Sequence, residues 1–288
     1  MNRIAALLGL LVAGLPLAQR AYAGASAPAF QAARPVWPQG RETERNMLVE
    51  FRAEFDQPAA GPVALRIAAS SLYRLFVNGR FAGHGPARAG HGFYRVDEWE
   101  ITPQLQAGRN HVAIEVAGYN ANSFYLLDQP SFLQAEMIAA GKIIAATGAE
   151  GFNAWIRRDR VQKVQRYSFQ RPFSEVWRLP GPPAEAARCA VAAAKPLAPR
   201  RVPYPTFEVR RPVAHTAEGE VAKSDLPQTV WKDRSLTGIG PHLAGFPEAE
   251  LATIPSIELQ AVKNASSRPA AAAMPFPLKA NSYRTLDF

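Results

Sequence analysis

The chain has a single cysteine, Cys189, in 288 residues. An intrachain disulfide framework and a cysteine-rich zinc site are both excluded. Beyond Leu17 no apolar run is long enough to cross a hydrocarbon layer about 30 Å thick. The short signatures of several chemistries are missing as well. There is no Gly-x-Ser-x-Gly nucleophile elbow, no P-loop, no Gly-x-Gly-x-x-Gly after a strand and no His-Glu-x-x-His. Gly83-His84-Gly85-Pro86 is rich in glycine, but Pro86 removes an amide donor and no helix follows, so a phosphate cradle is not expected there. Helical signal is scarce: no amphipathic stretch longer than about three turns occurs in the first half. The 25 prolines, about 9% of the chain where about 5% is usual, oppose a helical bundle and favour short strands joined by turns.

Positive charge is in excess, with 33 Lys+Arg against 24 Asp+Glu. The arginines are dispersed except for Arg157-Arg158, Arg200-Arg201 and Arg210-Arg211, and no pair belongs to a basic helix or a nucleic-acid motif. A solvated basic surface is the expected reading, with no nucleic-acid partner. The N-terminus reads as an export signal. Arg3 precedes an apolar run from Ile4 to Leu17, and Ala21-Tyr22-Ala23 supplies the small residues of a cleavage site. Cleavage after Ala23 would start the mature chain at Gly24 and place it in the periplasm or outside the cell, with no membrane span left.

Period two dominates the residues from Met47 onward. Met47, Val49, Phe51, Ala53 and Phe55 alternate with charged residues, and Val63, Leu65, Ile67 and Ala69 repeat the pattern. Tyr73, Leu75 and Val77 run into Asn78-Gly79, a two-residue hairpin signal, with Arg80 to Gly83 as the returning strand. Glu100 to Leu105 reads as a short helical turn, and His111 to Val116 as a strand. Ser131 to Ile138 and Lys142 to Ala146 flank Ala140-Gly141 as a further hairpin, and Trp155 to Arg157 suggest one more strand. The fold class expected is mostly β: an antiparallel, jelly-roll-like (galactose-binding-like) β-sandwich over 24–180. Residues 181–212 read as a Pro/Ala/Arg-rich connector in which Ala184 to Ala194 would make one short helix. A partial second sandwich is expected over 213–288, with strands at Ile257 to Lys263 and at the closing residues from Ser282, and another just before it at Thr206 to Arg210. On pattern alone, a natural C-terminal strand and a sandwich cut from a longer protein fit that ending equally.

Tyr73-Arg74-Leu75-Phe76-Val77-Asn78-Gly79, followed by Gly83-His84-Gly85-Pro86, resembles the Y-x-L-x-V-N-G hairpin and Gly-Pro loop of accessory β-sandwiches in bacterial α-L-rhamnosidases and related six-hairpin glycosidases. The segment from Glu100 to Asn110 is similar to the D-V-T-x-x-L-x-x-G-x-N stretch of the same proteins, with Glu100 in place of Asp. Tyr283 to Phe288 is similar to a strand of a second family sandwich, but the G-x-x-x-T-G segment that comes after it there is missing. Jelly-roll domains of β-galactosidases and β-glucuronidases share a looser version of the hairpin. The resemblance implies an N-terminal accessory region whose parent chain carries its catalytic carboxylates on an (α/α)6 barrel. This sequence has no helical repeat to build such a barrel. Truncation of a longer protein is therefore expected.

No catalytic residue, cofactor or metal site is nominated. Asp97 and Glu98 are sequence neighbours that a strand would point to opposite faces, so they do not make the paired carboxyls of a glycosidase. Two polar clusters stand out. His84, Arg88, His91 and Tyr94, with Arg95, would form either a glycine-shaped connection packed on a neighbouring domain or a rim contacting saccharide. Tyr119, Asn120, Asn122 and Tyr125 combine aromatic faces for sugar C–H surfaces with amides for hydroxyls, although Phe124 and Tyr125 also read as packing residues. Trp99, Trp155 and Trp177 read as core tryptophans. The expected function is a non-catalytic accessory region of an exported α-L-rhamnosidase-like hydrolase, with plant or microbial glycans as partners. The alternatives are a free-standing carbohydrate-binding module and a cell-surface structural or interaction protein.

Overall fold

The structure, a computed structural model, describes residues 30–56, 61–166, 169–170, 172–208, 211–223, 245–252, 259–269 and 283–287. The expected export signal lies outside them. Among the described residues the regular structure is β apart from short 3-10 turns. Strands β1 (Val36–Pro38), β2 (Met47–Asp56), β3 (Val63–Ala69), β4 (Tyr73–Val77), β5 (Arg80–Gly85), β6 (Tyr94–Glu100) and β7 (Arg109–Gly118) come first. They are followed by β8 (Leu133–Ala139), β9 (Lys142–Ala146), β10 (Phe152–Ile156), β11 (Glu185–Ala187), β12 (Cys189–Val191) and β13 (Leu197–Pro199). A seven-stranded sheet has the order β12-β1-β8-β3-β6-β13 with β9 on β8, and a six-stranded sheet has the order β11-β10-β2-β7-β4-β5. Together they form the expected β-sandwich. All pairings are antiparallel except β13 on β6.

Alternation explains the core. Val49, Phe51, Leu75 and Ile114 come from the six-stranded sheet and Leu65, Ile67, Leu133 and Met137 from the seven-stranded one, and all of them join one buried cluster. The large core tryptophan is Trp37 on β1, 6.0 Å from the Phe51 ring. Trp99 is half-buried and packs against this core, whereas Trp155 and Trp177 are half-buried outside it. Trp155 and Trp177 lie under arginines on the outer face of the six-stranded sheet.

Two asparagines explain the sequence motifs. Asn78 and Gly79 both take positive φ, as the two-residue hairpin requires. The Asn78 amide donates to Asn110 Oδ1 at 2.9 Å and accepts the His111 N–H at 3.0 Å. Asn110 in turn donates to the Gln106 and Gly108 carbonyls. The hairpin tip is thereby locked to the turn before β7.

Two expectations change. The alanine-rich stretch makes no helix: β11 pairs with β10 and β12 with β1, completing a sheet edge on each side. Flanking prolines leave too few residues for a stable isolated helix, whereas each short strand gains an edge's unpaired backbone groups. No strand covers 206–208, where Phe207 folds back onto Trp99; Arg210 lies outside the described residues. The later residues form a three-stranded antiparallel sheet of β14 (Ala214–Lys223) between β15 (Leu259–Pro269) and β16 (Tyr283–Asp287).

The outer face of the six-stranded sheet carries a charge cluster. Glu50 and Glu115 stand directly opposite each other on β2 and β7, a repulsive pairing if left alone. Arg157 reaches Glu50 at 2.9 Å, Glu115 at 2.5 Å and Asp159 at 2.6 Å. Arg52 and Arg74 close on the same two glutamates. Burial raises the Glu50 carboxyl, but Arg52 and Arg157 more than reverse this and leave it below the ordinary carboxylate value. Hydrogen bonding to Arg157 lowers Asp159. Both shifts contribute stability that is present above the ordinary carboxyl range and lost as pH falls through the lowered values. Arg157→Met should cost about 1–2 kcal/mol at pH 7, because it leaves Glu50 and Glu115 facing each other with one arginine apiece and Asp159 without its partner. In urea titrations the gap to the native protein should narrow as pH falls through the lowered Glu50 and Asp159 values. A gap that is constant with pH would show that Arg157 acts through packing alone.

Candidate functional site

The site begins where β5 crosses the opposite sheet. A Cβ on Gly83 would lie 2.4 Å from Trp99 Cη2, and one on Gly85 would lie 2.1 Å from Asp97 Oδ2 and 2.6 Å from the Tyr73 hydroxyl. Only glycine allows this approach. Asp97 is fully buried, and Glu98 beside it faces outward to Arg66 at 2.8 Å. Asp97 accepts from the Tyr73 hydroxyl at 2.5 Å, from Arg200 at 3.1 Å and from the Ala87 N–H. Trp99 Nε1 donates to the Tyr73 oxygen at 2.8 Å. Burial raises the Asp97 carboxyl above its ordinary value in spite of these donors, and burial with the Asp97 charge holds the Tyr73 phenol far up. Tyr204 packs 4.4 Å from Trp99, and burial pushes its phenol up to about 12.

From this anchor the chain leaves through a cis Gly85-Pro86 bond into an exposed loop that returns as β6. Between that loop and residues 123–129 lies a cleft of about 610 Å³. Its polar lining includes Ser70, Ser71, Tyr94 and Gln129. The Tyr94 hydroxyl donates to Gln129 Oε1 at 2.9 Å, and Gln129 Nε2 donates to the Ser70 carbonyl at 2.8 Å. Burial moves the Tyr94 phenol up. Large apolar side chains at the cleft stay exposed: Phe124 at 68%, Phe93 at 56%, Tyr125 at 45%, Leu72 and Leu127 at 43%. The Tyr125 hydroxyl donates to the Gln170 carbonyl, and the Arg88 guanidinium lies 5.1 Å from its ring centre. Such a surface can take an apolar sugar face on its rings and hydroxyls on its floor.

Of the eight residues expected to face sugar, His84, Arg88, His91, Tyr94 and Tyr125 line this cleft. The other three do not. Asn120 is buried at positive φ and donates to the Glu42 carbonyl at 2.7 Å while accepting from the Ser131 hydroxyl at 2.9 Å. Its amide holds the chain turn and has no group left for a ligand. Tyr119 packs beneath Arg160, 5.9 Å away, and burial raises its phenol. Asn122 is exposed outside the cleft, its Oδ1 accepting the Asp128 N–H at 2.9 Å within its own loop. Phe93 was not expected, and Phe124 was expected to pack. The signal for Phe93 was its place beside Gly92, in a loop with no apolar periodicity to bury it.

Among the described residues no carboxylate lines the cleft, and no three His, Cys, Asp or Glu side chains converge as a metal site. A second opening, of about 590 Å³, lies between Phe152–Trp155 and Ala186–Val191, and there burial pushes the Cys189 thiol up to about 11.

No family model matches the chain, and no curated protein is similar to it. Among solved structures it is similar to a GH78 family rhamnosidase of Bacillus sp. GL1, with 29% identity over 70% of this chain and a TM-score of 0.60. This chain spans 23% of that enzyme's length. An α-L-rhamnosidase from Aspergillus terreus superposes with a TM-score of 0.45 at 12% identity, over 89% of this chain and 36% of that one. A Pleurotus ostreatus lectin in complex with GalNAc gives 0.35 at 17%, over 70% of this chain and 61% of its own. Both superpositions are too loose to carry an argument.

Gly85→Ala should destabilise by about 2 kcal/mol or more, since the methyl group must displace buried Asp97 or Tyr73. In a double-mutant cycle by urea denaturation, Asp97→Ala should make room and recover part of that loss. Strict additivity of the two changes would show that the close approach does not constrain the loop.

Proposed function

We propose that this chain is the non-catalytic, carbohydrate-associating N-terminal region of an exported α-L-rhamnosidase-like glycoside hydrolase, and that a catalytic (α/α)6 barrel belongs to the longer parent chain. The observation that carries this reading is the cleft: exposed aromatic rings around hydroxyl and amide groups, with no pair of carboxyls among its described residues to cleave a glycosidic bond. The likeness to the Bacillus enzyme and the interlocked Asn78 and Asn110 motifs support the parentage. The Ile4 to Leu17 run and Ala21-Tyr22-Ala23 support export to the periplasm or medium, with cleavage after Ala23. Division into a sandwich unit and a smaller unit from 213 belongs to the same proposal, with the connector strands β11, β12 and β13 lending their edges to the first.

A barrel-supporting role has its own observation. Five large apolar side chains at one cleft make a patch that a second domain would cover. Titration calorimetry with rhamnose-containing oligosaccharides separates the two roles. Tyr125→Ala or Phe124→Ala should each weaken binding about tenfold, the scale of one lost aromatic contact. Both side chains are exposed, so the unfolding midpoint should stay within about 2 °C. Undiminished binding by both variants would remove the saccharide from this cleft. Absence of binding by the native chain would leave the barrel-supporting role.

A further inference from the structure

The lining of the cleft is one-sided in charge. Arg88 and Arg95 face it together with His84 and His91, and its described residues include neither Asp nor Glu. Several arginines elsewhere on the sandwich are answered by carboxylates: Arg41 by Glu44, Arg66 by Glu98, Arg109 by Glu54, Arg158 by Glu185 and Arg200 by Asp97. Arg95 donates to the Arg88 and Pro199 carbonyls, at 3.2 and 2.8 Å. Arg88 lies against the Tyr125 ring. Among the described residues neither has an ion-pair partner. Of the nearby acids, Asp97 is buried against Arg200, and Asp128 lies outside the lining.

Resting on the carbohydrate reading of this cleft, we propose that its saccharide is anionic, a uronic-acid-containing glycan whose carboxylate pairs with Arg88. The Arg88 guanidinium covers a face of Tyr125, so a pyranose would lie on the more exposed Phe124 ring beside it, with a carboxylate at its perimeter turned toward Arg88. A planar guanidinium matches a carboxylate with two parallel hydrogen bonds, which an ammonium group cannot do. Arg95 ties the loop backbone at Arg88 to the strand after it and adds a second positive charge at the same end. The Tyr94 and Ser71 hydroxyls donate within the protein and keep only acceptor capacity for neutral sugar hydroxyls.

The test compares two ligands on the full chain by titration calorimetry. One is an oligosaccharide of rhamnose and glucuronic acid. The other is the same oligosaccharide with its carboxyls reduced to primary alcohols. The acidic form should bind at least about tenfold tighter, and the preference should shrink as salt rises from about 0.05 to 0.5 M. Arg88→Gln should abolish the preference, while Arg88→Lys should keep part of it. Equal binding of both forms by the native chain would overturn the anion and leave the carbohydrate reading intact. No binding of either form by a folded chain would overturn both. Displacement of the acidic sugar by poly-glutamate at equal charge would also overturn the proposal, because the surface would then be a general acid acceptor.

Discussion

The structure turns on one buried carboxylate. Asp97 enters the sandwich from the seven-stranded sheet and takes a hydrogen bond from Tyr73 of the six-stranded sheet, so the two layers share a polar contact inside an apolar core. A buried acid needs several donors to be tolerated, and the chain supplies them from distant places: Tyr73, Ala87 in the cleft loop and Arg200 after β13. One side chain thus fixes the sheet-to-sheet distance, the start of the exposed loop and the course of the returning segment. The glycines at 83 and 85 are the steric counterpart of the same constraint.

The second polar hub lies outside the core and works differently. Arg157 neutralises two glutamates forced opposite each other by the register of β2 and β7, and half-buried tryptophans cover its neighbours. Asp97 holds the layers together, whereas Arg157 relieves a repulsion within one layer. Both are tied to segments that come after the main strands, so residues 157–160 and 197–204 belong physically to the sandwich. With the scaffold held at both hubs, the cleft loop can present Phe93 and Arg88 to solvent without depending on them for stability.

The sequence was most readable where one physical rule acted alone. β2, β3, β7 and β8 each bury one alternating apolar face, and Asn78-Gly79 and Ala140-Gly141 take the positive φ angles that their hairpins demand. β6 was hidden because it breaks the rule. Val96 faces an outer cluster and Asp97 the inner core, so neighbours on opposite faces are both buried and no alternation results. β11 and β12 were hidden because alanine signals nothing about direction, and their structure comes from the sheet edges they meet. In the site, the glycine-rich loop and Tyr125 were legible from residue type. Asn120 was misleading for the same reason, since an asparagine suited to a hydroxyl is equally suited to two backbone carbonyls. The exposure of Phe124 depends on a tertiary arrangement that local pattern does not contain.

The claim that the Asp97-anchored loop and residues 123–129 form the ligand-facing surface is tested most directly by following backbone amide resonances while a rhamnose-rich acidic oligosaccharide is added. The account predicts concentration-dependent shifts concentrated at 84–95 and 123–129, with the amides of Gly148 to Trp155 unmoved. Shifts confined to the second opening around Phe152 and Cys189, with the anchored loop silent, would contradict it.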